Sequence, residues 1–158
     1  MIRVRVATPD DVPAMLAVEH HAATAAHWNE REYRKALEPG TPEREVLVIE
    51  EGALLGFIVA RVLGDEWEIE NVAVSGPARR RGLGSRLVGE LLDRARARRA
   101  RSVFLEVRES NQAARLLYEK WAFLPAGRRK AYYSDPVEDA LLFRFSFPLS
   151  LSKAVEGL

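Results

Sequence analysis

The 158-residue chain contains no cysteine. That excludes a disulfide framework, a thiolate metal site and a cysteine nucleophile. Long apolar runs are missing too: Leu54 to Ala60 is among the longest, is broken by Gly56, and falls far short of a membrane span. The start, Met1-Ile2-Arg3-Val4-Arg5, lacks the apolar core of a secretory signal, so a cytoplasmic location is expected. No repeat, low-complexity tract or flexible linker divides the chain, which predicts one domain over 1–148 and a short tail, 149–158. Hydrophobic residues at 47% and charged residues at 30% are ordinary folded-protein values and argue against disorder. A chain this long buries roughly two-thirds of its unfolded surface, enough for a core without staples.

The net charge of +1 hides a sharp division. Residues 1–78 carry a balance of −7, residues 79–101 carry +7, and the remainder is close to neutral. A cationic block in a nearly neutral protein points to one anionic ligand or surface at that place. The competing explanation is a solvated helix face written with arginine, which suits Arg94 to Arg101 better than Arg79 to Arg81.

Ile2 to Val6 alternates as a half-buried strand. Thr8-Pro9-Asp10-Asp11 carries helix-start signals: a hydroxyl, a proline in the first turn and early carboxylates. A second helix is expected over Asn29 to Leu37. Three strands follow, near Glu45 to Ile49, Leu54 to Val62 and Trp67 to Val74, joined at Glu51-Gly52 and Gly64-Asp65 as an antiparallel meander. After Ser75-Gly76-Pro77, the positions Leu83, Leu87, Val88, Leu91, Leu92 and Ala95 recur at helical spacing. Ser102 to Val107 reads as a strand covered on both faces, Ser110-Asn111 opens a helix towards Trp121, and Leu141 to Phe147 is a last strand. A further strand is placed at Phe123 to Arg128. The order predicts a mixed α+β fold with a mostly antiparallel sheet, flanked by about four helices.

Arg79-Arg80-Arg81-Gly82-Leu83-Gly84-Ser85 stands between a strand and an amphipathic helix. Two glycines let backbone approach a ligand closely, and the helix start presents free N–H donors with partial positive charge, an arrangement that binds diphosphate. The spacing is neither that of a Walker loop nor that of a dinucleotide fingerprint. A plain turn leading into a helix is the alternative.

Arg79-x-x-Gly82-x-Gly84 after Asn71-Val72-Ala73-Val74 resembles the coenzyme A motif of the GNAT superfamily of N-acetyltransferases. The resemblance extends through Leu105-Glu106-Val107-Arg108-x-Ser110-Asn111-x-Ala113-Ala114, Leu117-Tyr118-Glu119 and Arg128-Arg129-x-x-Tyr132-Tyr133. With Trp28-Asn29-Glu30, it is similar to the ribosomal-protein-alanine N-acetyltransferase branch. The resemblance implies a splayed pair of parallel strands. It implies acetyl-coenzyme A as co-substrate, its pantetheine arm along Val72, Ala73 and Val74. Its pyrophosphate would lie on the backbone of Arg80, Arg81, Gly82, Leu83, Gly84 and Ser85 beside Arg79, with Asn111 also touching the cofactor.

Glu106 is the odd residue of its apolar strand, on one face with Phe104. Such a carboxylate is paired, for instance with Arg108, or solvated by a cleft, or shifted towards neutral. Within the resemblance it is the general base. Tyr118 lies seven residues beyond Asn111, two helical turns away on the same face, with small Ala114 between them. By itself Tyr118 reads as a core aromatic; the resemblance makes it the proton donor to the departing thiolate. Glu66, Glu68 and Glu70 share a strand face, either as a solvated edge or as a surface for a cationic acceptor, and Glu68 is the rival base. Tyr132 and Tyr133 match a peptide-gripping loop. His20 and His27 are expected on one helical face without a third ligand, so no metal is expected.

An attacking amine must first lose its proton. At pH 7 this costs ~1–1.4 kcal/mol for an α-amine and ~4.6 kcal/mol for lysine, which favours a protein N-terminus. With no cysteine and no Gly-x-Ser-x-Gly elbow to carry an acyl group, transfer is expected to be direct. The reading is acetyl transfer from acetyl-coenzyme A to a protein N-terminal α-amine, with the N-terminal alanine of a ribosomal protein as one such acceptor. The alternatives are a small amine or lysine acceptor, or a non-catalytic module docking RNA or the ribosome through Arg79 to Arg101. The block carries no interleaved aromatics, which argues against nucleic acid, and no membrane partner is expected.

Overall fold

The computed structural model describes residues 1–22 and 27–148, and the expected tail 149–158 lies outside them. Strands β1 (Arg3–Val6), β2 (Arg44–Glu51), β3 (Ala53–Leu63), β4 (Glu66–Val74), β5 (Ser102–Arg108), β6 (Leu124–Tyr133) and β7 (Glu138–Ser146) alternate with helices α1 (Val12–His20), α2 (Glu30–Ala36), α3 (Leu83–Ala97) and α4 (Gln112–Lys120). One seven-stranded sheet runs in the order β1-β2-β3-β4-β5-β7-β6. Its pairs are antiparallel except β4 with β5.

Local chemistry accounts for the element boundaries. Thr8 donates its N–H to Asp11 Oδ2 at 2.7 Å, tightening the 3₁₀ turn Pro9–Asp11 that leads into α1. Asn29 and Glu32 form a reciprocal capping box at the start of α2. Gly52 and Gly64 take positive φ at the two meander turns, where a side chain would be strained. Pro125 sits in the edge strand β6, where a missing N–H costs no ladder bond on the solvent side.

The sheet is covered on both faces, by different helices. The expected apolar positions of α3 are all buried against Ile58, Trp67, Ile69, Val103, Leu105 and Phe143, with Ala114, Leu117 and Trp121 packed alongside. On the other face Val12, Met15 and Val18 of α1 and Tyr33 and Ala36 of α2 pack on Val46, Val48, Phe57, Val59 and Ala73. This second layer lies over β2, β3 and the end of β4.

Three expectations need correction. β5 is fully buried on one face only: Val103, Leu105 and Val107 point into the α3 core, while Phe104 and Glu106 are partly exposed. The strand proposed at Phe123 to Arg128 continues to Tyr133, with irregular pairing to β7 after Arg129. Finally, α1 ends at His20, and His27 stands outside any helix with φ 57°, so the two histidines do not share a helical face.

Helix α4 is locked to α3 by one aromatic ring. A Cβ on Gly89 would meet the Trp121 ring at 2.8 Å, and Trp121 Nε1 donates to Ser85 Oγ at 3.0 Å. We expect Gly89→Ala to lower unfolding stability by about 1–3 kcal/mol, as overpacking of a filled core does. Denaturant unfolding checks this, and an unchanged midpoint would mean that the ring moves aside freely.

Candidate active site

The site begins with one extra residue. In the β3–β4 ladder Ala60 faces Ile69 and Val59 faces Asn71, leaving Glu70 as a bulge. A bulge bends its strand and shifts the alternation by one. Trp67 and Ile69 therefore face the α3 core, and beyond the bulge Val72 and Val74 do so, while Ala73 turns to the α1–α2 core. Parallel pairing with β5 stops at Ile69 opposite Leu105, one residue before the bulge. Beyond that point the two strands part, and a cleft of about 660 Å³ opens between them.

Because the cleft passes between strands, it has a mouth on each face of the sheet. On the α3–α4 side it is lined by Val72, Val74, Gly84, Asn111, Ala114, Leu117 and Tyr118, with Ala73 on the β4 backbone. The edge of β4 over 70–74 has no strand partner on its β5 side, so its polar groups face the cleft. Asn111 caps α4 by accepting the Ala114 N–H at 3.1 Å, which fixes the face that carries Tyr118. Tyr118 is buried, stacks edge-on against Phe123, and burial pushes its phenol well above the usual range. The phenol therefore keeps its proton at neutral pH.

The glycine turn lies at the end of this mouth, and among its residues only Gly84 lines the cleft itself. Leu83 is a core residue, and the Ser85 hydroxyl is taken by Trp121. Arg80 and Gly82 have φ of 65° and 74°, which turns the chain sharply into α3. Gly82 gives the helix no side-chain cap, so the first-turn N–H groups of Leu83, Gly84 and Ser85 have no side-chain acceptor. Arg79 reaches back to the carbonyls of Val74 and His21, and Arg81 pairs with Glu51 at 3.1 Å.

The opposite mouth is lined by His27, Trp28, Glu68, Glu106, Arg108, Tyr132 and Tyr133. Each carboxylate of the acidic strand face has an arginine: Glu66 with Arg144 at 3.1 Å, Glu68 with Arg61 at 2.9 Å, Glu70 with Arg44 at 2.7 Å. That face is thus internally neutralised rather than a bare negative surface. Burial raises the Glu68 carboxyl pKa, Arg61 opposes the rise, and Glu70 and Glu106 add to it. Glu106 pairs with Arg129 at 3.2 Å, not with Arg108; the Arg129 side chain is 65% exposed against 15% for Glu106. Arg108 instead pairs with Glu138 at 3.3 Å and lies 4.3 Å over the Tyr133 ring. Tyr132 and Tyr133 are at the end of β6, edge to face with each other at 5.0 Å, rather than on a free loop.

A two-mouthed cleft with unpaired strand edge, an uncapped helix start, a protonated phenol and a carboxylate is suited to holding an extended thioester opposite an amine. The Acetyltransferase (GNAT) family pattern matches residues 14–123. The chain belongs to the GNAT acetyltransferase family. The [ribosomal protein bS18]-alanine N-acetyltransferase of Escherichia coli K12 is 34% identical over 143 residues, which span 89% of this chain and 93% of that protein. The crystal structure of the Escherichia coli ribosomal-protein-S18-alanine N-acetyltransferase superposes with a TM-score of 0.85 at 30% identity, covering 95% of this chain and 96% of the other. The ribosomal-protein-alanine N-acetyltransferase of Brucella melitensis gives 0.80 at 25% identity, covering 92% and 99%. As a GNAT acetyltransferase, the chain uses acetyl-coenzyme A to acetylate an amine, and its mixed, mostly antiparallel sheet with one splayed parallel pair is the expected fold.

Several GNAT site features escaped the sequence reading. Arg61 faces Glu68 across the β3–β4 hairpin, whereas Arg129 reaches Glu106 from β6, a strand distant in sequence. The bulge left a trace, the consecutive polar pair Glu70-Asn71 inside an otherwise alternating strand.

Glu68 has a pKa raised above its unfolded value, so its ionisation opposes folding, and the penalty appears as pH climbs through the interval between the two values. Arg61→Met removes the opposing charge and widens that interval. The variant should therefore be more destabilised relative to wild type at pH 7 than at about pH 4, near the carboxylate reference value. Denaturant unfolding at both pH values checks this. An equal difference at the two would assign Arg61 a packing role only.

Proposed function

We propose that this protein transfers acetyl from acetyl-coenzyme A to the N-terminal α-amine of a protein, with residues 1–148 as the acting unit. The observation that carries the proposal is one cleft, running through the sheet, that Glu106 enters from one mouth and Tyr118 from the other. Bound acetyl-coenzyme A supplies an acyl group activated as a thioester.

The residues of the chain divide the remaining work. The exposed edge of Val72, Ala73 and Val74 holds the pantetheine arm as an extra strand. The turn Arg79, Arg80, Arg81, Gly82 and the first-turn amides of Leu83, Gly84 and Ser85 receive the diphosphate, where N–H donors and the helix field favour an anion. Asn111 steadies the cofactor at the start of α4. Glu106 takes one proton from the ammonium before its nitrogen attacks. The second proton leaves the nitrogen as the tetrahedral adduct collapses, and it neutralises the departing thiolate. Tyr118 donates a hydrogen bond to the sulfur as the C–S bond breaks. A thiol, at about 8.5, is a stronger acid than this buried phenol, so Tyr118 acts chiefly by hydrogen bonding to the developing thiolate.

Glu106 is favoured over Glu68 because of their partners. Arg61 is anchored within the sheet beside Glu68, whereas Arg129 reaches Glu106 from an exposed edge strand. An exposed pair is weak and readily exchanged, so an incoming ammonium can take the place of Arg129. Glu68, Tyr132 and Tyr133 then flank the acceptor. The relatives' substrate makes the N-terminal alanine of a ribosomal protein the first acceptor to test.

We expect mass spectrometry of a peptide panel with acetyl-coenzyme A to show acetyl on free α-amines and none on α-blocked peptides that offer only lysine. Acetylation confined to lysine or to small amines would replace this reading. Glu106→Gln and Tyr118→Phe should each lower kcat about 10²–10³-fold, in the range of acid–base contributions. Calorimetry should find acetyl-coenzyme A affinity nearly unchanged in both. Full turnover in Glu106→Gln would move the base to Glu68 or to water.

A further inference from the structure

Glu19 is 3% exposed at the end of α1, and among the described residues no lysine or arginine pairs with it. A buried carboxylate without a cation is costly unless its oxygens are hydrogen-bonded. Its Oε1 accepts three donors: the Trp28 N–H at 2.6 Å, the Tyr33 hydroxyl at 2.5 Å and the Asn71 amide at 3.3 Å. Asn71 Nδ2 also donates to the Tyr33 oxygen at 2.8 Å. Burial, reinforced by the Glu19 hydrogen bond, pushes the Tyr33 phenol far up, so it remains a donor. The chain of bonds therefore runs one way, from Asn71 through Tyr33 to Glu19.

These donors belong to three separate parts of the fold. Asn71 is the residue after the Glu70 bulge that parts β4 from β5. Tyr33 is the fully buried ring of α2, edge-on to Phe57. Trp28 lines the acceptor mouth of the cleft with His27, one residue before the Asn29 cap of α2. Trp28 also packs on Tyr33 and beneath the Arg44 guanidinium. One buried oxygen thus ties the strand irregularity that opens the cleft to the backbone that walls its acceptor side.

We infer that Glu19 is a positioning residue, fixing the His27–Trp28 wall against the β4 bulge so that the acceptor mouth is shaped before an acceptor arrives. The inference rests on the reading of that mouth as the acceptor side. It concerns acceptor binding and leaves the cofactor mouth, on the far face of the sheet, unaffected. Glu19 touches neither reacting group and acts only through the wall it holds.

Three variants test it: Glu19→Ala, Glu19→Gln and Tyr33→Phe. Hydrogen exchange should accelerate locally in the peptide covering 27–36 of Glu19→Ala, with α3 unchanged. The acceptor KM of that variant should rise about tenfold, the scale of losing a charge-assisted hydrogen bond, while kcat and the acetyl-coenzyme A Kd hold. Glu19→Gln keeps an accepting oxygen and should recover most of the KM. Tyr33→Phe keeps its ring in the core and should show the same pattern more weakly, which carries the test if Glu19→Ala does not fold. Exchange that is unchanged, or faster throughout the protein, would overturn the inference, as would an unaltered acceptor KM. If the wild-type protein acetylates no α-amine, the proposed function falls, and the exchange pattern still decides whether Glu19 holds this wall.

Discussion

A single surplus residue in the fourth strand determines how the rest of the molecule is used. Parallel neighbours in a regular sheet bond along their whole length and leave no room between them. With Glu70 inserted, β4 changes its alternation and pulls away from β5 just past the Ile69–Leu105 pair. The backbone polar groups freed on that edge are a cost that the fold sustains only if something else bonds them, which is the physical ground for proposing an extended ligand arm there. The bulge also decides which side chains see which core. Val72 and Val74 join Trp67 and Ile69 on the α3 face, and Asn71 turns towards Glu19 and Tyr33 on the other.

The helices make the two ends of the opening chemically different. α3 and α4 pack together through Trp121 against Gly89 and Ser85, which fixes the uncapped start of α3 relative to the Tyr118 face of α4. On the opposite face, the carboxylates Glu68, Glu70 and Glu106 are matched one for one by arginines. Neutralised charges of this kind hold geometry without drawing cations indiscriminately. Arg129 differs from the other partners in being 65% exposed and carried by the edge strand β6.

Much of this fold was legible in the residues. The helical spacing of Leu83 to Ala95 named the buried face of α3 residue for residue, and Glu51-Gly52 and Gly64-Asp65 marked both meander turns. Glu106 stood out as the odd carboxylate of an apolar strand, while the roles of Glu106 and Tyr118 came from the family resemblance, and both line one cleft with Asn111. What stayed hidden was long-range or irregular. A bulge leaves normal alternation on either side of itself, so its only mark was the pair Glu70-Asn71. The half of β6 beyond Arg128 is not legible as strand, because three consecutive cations interrupt any alternation, and they are tolerated because the strand is a solvent-facing edge. Ion-pair partners drawn from distant strands, such as Arg129 for Glu106, follow from topology and not from spacing.

The basic block resolves into two parts with different physical reasons. Arg94 and Arg98 stand at the C-terminal end of α3, where cations complement the helix dipole, and they pair with Glu45 and Glu43 of the acidic half. Arg101 lies near Asp65. These arginines join α3 to the sheet. Arg79, Arg80 and Arg81 crowd the N-terminal end of the same helix, where each cation opposes the dipole by about 0.3–1 kcal/mol. Helix stability gives no reason to place three there, and only Arg81 has a carboxylate partner among the described residues. An anion seated on the turn would relieve the helix end and the arginines together. The sign of charge at that end of α3 thus supports a diphosphate site independently of the glycines that make the turn.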